Sequence, residues 1–385
     1  MVPYEVAVCT QEGGKMNRLI IGLAVLVVLV GGKNAWSSVQ YTVTDLGELA
    51  GSNANGVNDI GQVVGSKSFG GGPTHAFLYS NGVMTDLGVL ESSHHYSSAT
   101  DINDAGLVVG SSMIAENTSS QRPVLFSGGT VTNLGSLGGG YGFAGGINSA
   151  GQVVGLSSDA NGVTHAFLWS NGTMIDLGSL EGSGGYSCAY GINDNTQVVG
   201  VSVFSGANRG FLWEGGVMTD LGDLAEGTGN TRAYAINNLG QVVGESWQDS
   251  SASHAFVWQN GAMSDLGVLP GANGSLAEGI NDSGVVVGTS YTADGSLHHR
   301  LFVWDSTNGM QDANNLLDSS SAGWTLYGCR DINNLGQIVG WGTNPSGQIH
   351  GVLLTPIPEP TTIIIWSLLG ILGITIGWWR RKRAA

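Results

Sequence analysis

The residues best suited to chemistry in this chain recur at fixed intervals. A phrase of the form His-Ala-Phe-Leu-Trp opens at His75, Arg122, His165, Arg209, His254, Arg300 and His350. Asp or Asn stands eleven residues later in five of the seven copies, at Asp86, Asn133, Asp176, Asp220 and Asp265. A cation or donor crossing to a carboxylate on a neighbouring strand satisfies both groups, and a ring of such pairs can also be read as seven ligand or metal sites. Two points favour the brace. A catalytic constellation rarely recurs in every repeat, and Arg122 is set against Asn133, where a metal site wants an imidazole and a carboxylate. His75, His165 and His254 with Asp86, Asp176 and Asp265 are therefore expected to be structural, and no metal or cofactor is expected.

Other motifs point to turns. The stretches "SDANG" (158–162) and "TADG" (292–295) lack the ligand run ending in Glu of an EF-hand loop. The Gly-rich 135–146 lacks the GK[ST] ending of a phosphate cradle. No serine sits in a distinctive nucleophile turn. Once Cys9 is set aside with the leader, Cys188 and Cys329 remain, in the fourth and seventh units. In a ring they are too distant for the ~5.5 Å Cα separation of a disulfide, so they read as buried free thiols.

The elements that position these residues follow from the repeat. An "INxxGQVVG" phrase places its Asn at 58, 103, 148, 193, 237, 281 and 333, with gaps of 45, 45, 45, 44, 44 and 52. The "TDLG" phrase also occurs seven times, but its first copy precedes the first "IN" phrase and none follows the last. Each unit reads as four strands. The "IN" phrase ends the first, with a type I turn running into a Gly of positive φ, and "QVVG" is the second. "HAFLW" is the third, joined by Asn-Gly hairpins at 81–82, 171–172 and 260–261 to the fourth, "VMTDLG".

Four strands in some 45 residues predict propeller blades, with a β-solenoid as the alternative stacking. The displaced "TDLG" copy favours the ring. A leading fourth strand at 41–47 can zip onto a trailing third strand at 350–356 and remove both sheet edges. The expected fold is all-β: a seven-bladed propeller closed by the N-terminal strand, spanning 38–356.

Function concentrates on loops held by a rigid scaffold. The first-to-second and third-to-fourth turns share one face and are nearly invariant, whereas the second-to-third loops and blade links share the opposite face and vary. That variable face carries the candidate ligand-face aromatics Tyr96, Tyr186, Trp247, Tyr291, Trp324 and Tyr327, which can stack on sugar rings. A glycan hydrolase or lyase would need two carboxylates ~5–9.5 Å apart, for which Glu91, Glu116, Glu181, Glu226 and Glu278 are candidates. A protein-interaction platform is a third use of the scaffold.

Both ends are expected to be addresses. From Met16, a basic Arg18, an apolar run from Leu19 to Val30 and small residues Ala35 and Ser37 form an export signal within 1–37. Glu5 and Glu12 suit no signal, so the true start is read at Met16. In 357–385, residues 361–379 are nineteen uncharged residues, enough for a membrane helix, and Arg380, Arg381, Lys382 and Arg383 hold that end in the cytoplasm.

Pro358, Glu359 and Pro360, then the apolar segment, then the basic cluster resemble the PEP-CTERM sorting signal. The resemblance implies processing by exosortase in a Gram-negative bacterium that secretes exopolysaccharide. The repeat phrases over 41–355, with His-Ala-Phe at 75–77, 165–167 and 254–256, resemble the HAF family of extracellular repeat proteins, for which no activity is implied.

Residues 38–357 carry six basic side chains against twenty-six acidic ones, a net charge near −20. Nucleic acid demands a basic footprint and is excluded as a partner. The expectation is a non-enzymatic, monomeric, exported binding or structural protein. It would be anchored in the inner membrane before processing, then placed at the cell surface or in an exopolysaccharide matrix.

Overall fold

The computed structural model describes residues 39–48, 54–69, 71–92, 95–114, 121–182, 184–225, 229–247, 252–292 and 299–357. The export signal, the sorting motif Pro358–Pro360, the apolar segment 361–379, the basic cluster Arg380–Arg383, Glu116 and Glu226 lie outside them. Among the described residues, no helix is long and apolar enough to cross a membrane.

The chain forms seven four-stranded antiparallel sheets. Blade 1 is Ala54–Val57, Val63–Ser68, Thr74–Ser80 and Val83–Gly88, and five more blades follow in the same order. Blade 7 takes its first three strands, Thr325–Ile332, Ile338–Thr343 and Ile349–Ile357, from the end of the repeat region and its fourth, Gln40–Glu48, from the beginning. Gln40 pairs with Ile357, Val43 with Leu354 and Asp45 with Val352. The ring is closed, as the displaced "TDLG" copy predicts, and the solenoid is excluded.

The repeat phrases are legible as local physics. Gly61, Gly106, Gly151, Gly240, Gly284 and Gly336 all hold φ between 73° and 77° at the first-to-second turn. In blade 4 Thr196 occupies the same left-handed conformation at φ 62°, which a β-branched residue rarely adopts. Asn81, Asn171 and Asn260 precede Gly82, Gly172 and Gly261, all with positive φ, as a type I′ hairpin requires. The glycine of "VVG" has a different cause. At Gly110, Gly155, Gly200, Gly244, Gly288 and Gly340 an added methyl would be driven into a carbonyl of the adjacent first strand.

Every core lies between blades rather than within one. Val339 and Leu353 of blade 7 pack with Ala54, Val57, Val63 and Phe77 of blade 1, and Val64 and Ala76 of blade 1 pack with Ala99, Val108 and Phe126 of blade 2. Phe77, Phe167, Phe211, Phe256 and Phe302, the aromatic of the third strand, are completely buried, each contributing about 1.5–3 kcal/mol. A single sheet therefore cannot stand alone, which is why the unit repeats.

Buried serines tie the interfaces. Ser97 Oγ accepts from the Ala76 amide at 2.9 Å and donates to the Gly88 carbonyl at 2.6 Å, linking blade 2 back to blade 1. Ser187 and Ser275 repeat the latch with Ala166 and Ala255.

Candidate functional site

Six of the seven His or Arg positions resolve as braces. Nδ1 of His75, His165 and His254 lies 2.9, 2.9 and 2.8 Å from Asp86, Asp176 and Asp265. Arg209 Nε reaches Asp220 at 2.9 Å, and Arg300 Nη1 reaches Asp312 at 3.2 Å after a one-residue-longer spacing. The seventh pair crosses the closure, His350 Nδ1 to Asp45 at 2.8 Å. Arg122 is the departure: its Nη1 donates to the Gln121 carbonyl at 3.5 Å, while Asn133 accepts from the Gly135 amide. The carboxylates do second duty, for Asp86 and Asp176 each accept from an amide two residues on.

The first strands line a central channel, whose turn-face mouth encloses about 210 Å³ among turns from all seven blades. The turn asparagines build a closed circuit here. Each donates Nδ2 to the next blade's turn carbonyl: Asn58 to Asn103 at 3.1 Å, Asn103 to Asn148 at 3.0 Å, Asn148 to Asn193 at 3.2 Å. Asn193, Asn237 and Asn281 continue at 3.0, 3.0 and 3.2 Å, and Asn333 closes onto Asn58 at 2.8 Å. The turn reading of these asparagines is correct, but it missed their cross-blade role.

One layer inward, the position before "IN" is Gly or Ala in five blades and Asp in two, Asp101 and Asp331. Asp101 accepts from the Ile102 and Ile147 amides at 2.7 and 2.9 Å, and Asp331 from Ile332 and Val57 at 2.8 and 2.9 Å. Crowding by protein raises both carboxyls above the usual carboxylate range, Asp331 further because Asp101 is near. Among the described residues, no group of three or more His, Cys, Asp or Glu side chains is disposed to hold a metal ion.

On the loop-face side of that layer the sevenfold pattern breaks. The position three before the turn Asn reads Asn55, Thr100, Gly145, Tyr190, Tyr234, Glu278 and Arg330, and the position after "VVG" reads Ser66, Ser111, Leu156, Val201, Glu245, Thr289 and Trp341. Blades 3 and 4 are apolar at this level: Leu156, Cys188 and Val201 pack with Tyr141, Phe143 and Tyr190. Blades 5 to 7 are charged. Arg330 Nη1 lies 2.6 Å from Glu278 Oε1, with the guanidinium 5.4 Å from the centre of the Trp341 ring. Arg232 Nη1 lies 3.2 Å from Glu245 Oε1, with its guanidinium 5.1 Å from the Trp247 ring centre.

In each pair the carboxylate is sunk and the arginine is open. Glu278 and Glu245 side chains are 10% and 6% exposed, Arg330 and Arg232 44% and 36%. Glu245 also accepts from Tyr234 Oη at 2.6 Å and Ser253 Oγ at 2.8 Å. Glu278 receives Thr289 Oγ1 at 3.3 Å, and burial pushes its carboxyl up to about 7 against the pull of Arg330.

The candidate aromatics divide. Trp247 lies under Arg232, and Tyr291 Oη shares a 2.8 Å hydrogen bond with Ser253 while its ring stacks on His299 at 5.9 Å. Tyr327 lines a second cavity of about 500 Å³ between blades 6 and 7, beside His299 and Arg300. This cavity adjoins the stretch where the repeat spacing lengthens to 52. Trp324 packs onto the blade 6–7 core, edge-on to His350. Tyr186 is 39% exposed, and Tyr96 is half-buried, its carbonyl accepting from Ser112. Trp247, Tyr291 and Tyr327 thus gather on blades 5 to 7, while Tyr96 and Tyr186 do not. Of the carboxylate candidates, Glu91 and Glu181 are exposed and Glu278 alone belongs to this cluster. Cys188 and Cys329 are free and buried, as expected.

Sequence reasoning missed Arg232, Tyr234, Glu245, Arg330 and Trp341. The signal was available in register: three of the six basic residues of 38–357 open third strands, whereas Arg232 and Arg330 stand on first strands.

No family model matches the chain, and no curated protein matches it. Among solved structures it is similar to TolB from Acinetobacter baumannii, at 12% identity and a TM-score of 0.41 over 78% of this chain. It spans 64% of that TolB chain, under two thirds of its length. It is also similar to a triple arginine-to-alanine mutant of AofleA from Arthrobotrys oligospora, at 10% identity and a TM-score of 0.37 over 84% of this chain and 91% of the other. Likenesses this loose carry no argument about the site.

Proposed function

We propose that this chain is an exported, non-enzymatic propeller that binds glycan with the loop face of blades 5 to 7, as a component of an exopolysaccharide matrix. The observation that carries the reading is the local loss of repeat symmetry: two half-open arginines, each paired to a sunken glutamate and each set over a tryptophan. Sugar sites combine ring faces with polar groups that fix orientation, and positions that are mostly uncharged in the other blades need no charge for the fold. The address is proposed from the ends of the sequence. The Pro358-Glu359-Pro360 tail supports membrane anchoring followed by exosortase processing, and the His-Ala-Phe repeats support membership of the extracellular HAF family.

A glycan-active enzyme is the second reading, favoured by the raised Glu278 carboxyl near Glu245. A glycan array with the purified chain, followed by a reducing-end assay on each hit, separates the readings. Binding without turnover supports the proposal. New reducing ends support the enzyme, and silence on every glycan refutes both and favours a protein-interaction platform.

A further inference from the structure

We infer that the glycan taken by the blade 5–7 mouth is a carboxylate-bearing one, and that its carboxylate displaces Glu278 from the Arg330 guanidinium. This deepens the glycan reading and rests on it.

Arg330 carries the argument. A guanidinium offers five N–H donors in a planar fork that matches a carboxylate bidentately. In this structure Nη1 alone is engaged, by Glu278, and among the described residues the remaining donors take no acceptor. The side chain is 44% exposed while its partner is 10% exposed, so a solvent-borne anion meets Arg330 before it meets Glu278. The guanidinium carbon lies over the Trp341 ring, 5.4 Å from its centre, and the donors that Glu278 does not take are left for the ligand.

Glu278 is a weak holder of that arginine. Its surroundings are Thr289 on its own sheet, Arg330, Cys329 and Asp331 on the neighbouring first strand, and Glu245 from blade 5, itself tied to Arg232 and Tyr234. Burial and the Glu245 charge raise it, and Arg330 is the cation holding it ionised. When a ligand carboxylate takes the fork, Glu278 loses that cation and takes one proton from solvent; no other bond changes.

The aromatic faces of Trp247 and Trp341 and the Tyr190–Tyr234 pair, 5.5 Å between ring centres, favour a sugar ring over an acidic peptide as the bearer of the carboxylate. The propeller's charge near −20 opposes any polyanion at long range. At physiological ionic strength that repulsion is screened beyond ~8 Å, so a short oligosaccharide is the suitable probe.

The test is titration calorimetry of the purified full-length chain with a short oligogalacturonate, an oligoglucan of equal length and an oligo-aspartate peptide. The acid sugar should bind more tightly than the neutral one. Its affinity should rise as pH falls from about 8 to about 6, by at most about tenfold per pH unit, with proton uptake visible as a buffer-dependent heat. Glu278→Gln should bind the acid sugar at least as tightly and lose the pH dependence, a result that a merely structural ion pair would not give. Arg330→Gln should abolish the acid preference. Arg330→Lys, which retains charge without the fork, should do the same if the first variant folds poorly. Equal affinity for the two sugars, pH-independent binding, or preference for the peptide overturns the inference. If the neutral sugar binds without acid preference the glycan reading survives, whereas binding of neither sugar removes that reading too.

Discussion

Replacing Asn333 with Asp isolates the bond that closes the ring. Asn333 is 5% exposed; its Nδ2 donates to the Asn58 carbonyl and to Gln337 Oε1, both at 2.8 Å. Its Oδ1 accepts from the Leu335 and Gln337 amides at 3.1 and 2.8 Å. Asp is isosteric and retains both acceptor bonds, but it points an oxygen at the Asn58 carbonyl where an N–H stood. Gln337 can turn its own amide to compensate, while Asn58 cannot. The loss is one hydrogen bond, about 0.5–1.5 kcal/mol, plus a buried carbonyl without a donor, about 1–3 kcal/mol, hence about 1.5–4.5 kcal/mol in all.

A protonated Asp restores the donor, so the cost should be larger near pH 8 than near pH 5, because the native variant then binds a proton that its unfolded chain has released. Urea unfolding followed by tryptophan fluorescence, with Asn103→Asp as the reference, provides the comparison. Asn103 makes the equivalent link to Asn148 inside the ring at 3.0 Å. Equal midpoint shifts for the two variants are the expected result. A shift for Asn333→Asp well below that of Asn103→Asp would mean that blades 7 and 1 are not joined, and the closure argument would fail.

Two more outcomes follow from the same structure. Asp331 has a raised native carboxyl, so the native state binds the proton more tightly than the unfolded chain and stability falls as pH rises from the ordinary Asp range through the native one; Asp331→Asn should raise the melting temperature near pH 8 and change it little near pH 4. Gly200→Ala drives a methyl into the Cys188 carbonyl and should lower the unfolding midpoint severely or abolish soluble expression, whereas Gly172→Ala, with open space around it but φ 86°, should cost about 1 kcal/mol.

What the sequence disclosed is what repeats or is local. The period, the Asn-Gly hairpins and the positive-φ glycines each depend on a few adjacent residues, and the displaced "TDLG" phrase carried the closure because counting copies is a topological statement. The His–Asp braces were legible for the same reason, down to their eleven-residue spacing. Arg122 failed because an Asn partner leaves a guanidinium no charge to seek. The cross-blade reach of Asn58 through Asn333 was hidden, since a side-chain bond to a residue 44 or more positions away leaves no local mark. Arg232, Glu245 and Arg330 were hidden because they stand where the copies differ, and likeness between copies marks only the positions where they agree. Tyr96 and Tyr186 share the variable face and the residue type of the other aromatics but stand at the entries of blades 2 and 4, Tyr186 within electrostatic reach of Arg232.

Hydrogen–deuterium exchange on the chain with and without a bound oligosaccharide tests the assignment of the binding face most directly. Slowed exchange confined to the segments bearing Arg232, Trp247, Tyr291, Arg330 and Trp341 is the expected footprint. Protection centred on the asparagine turns at Asn58, Asn103 and Asn148, with blades 5 to 7 unchanged on the loop side, would place the ligand at the opposite mouth and contradict the account.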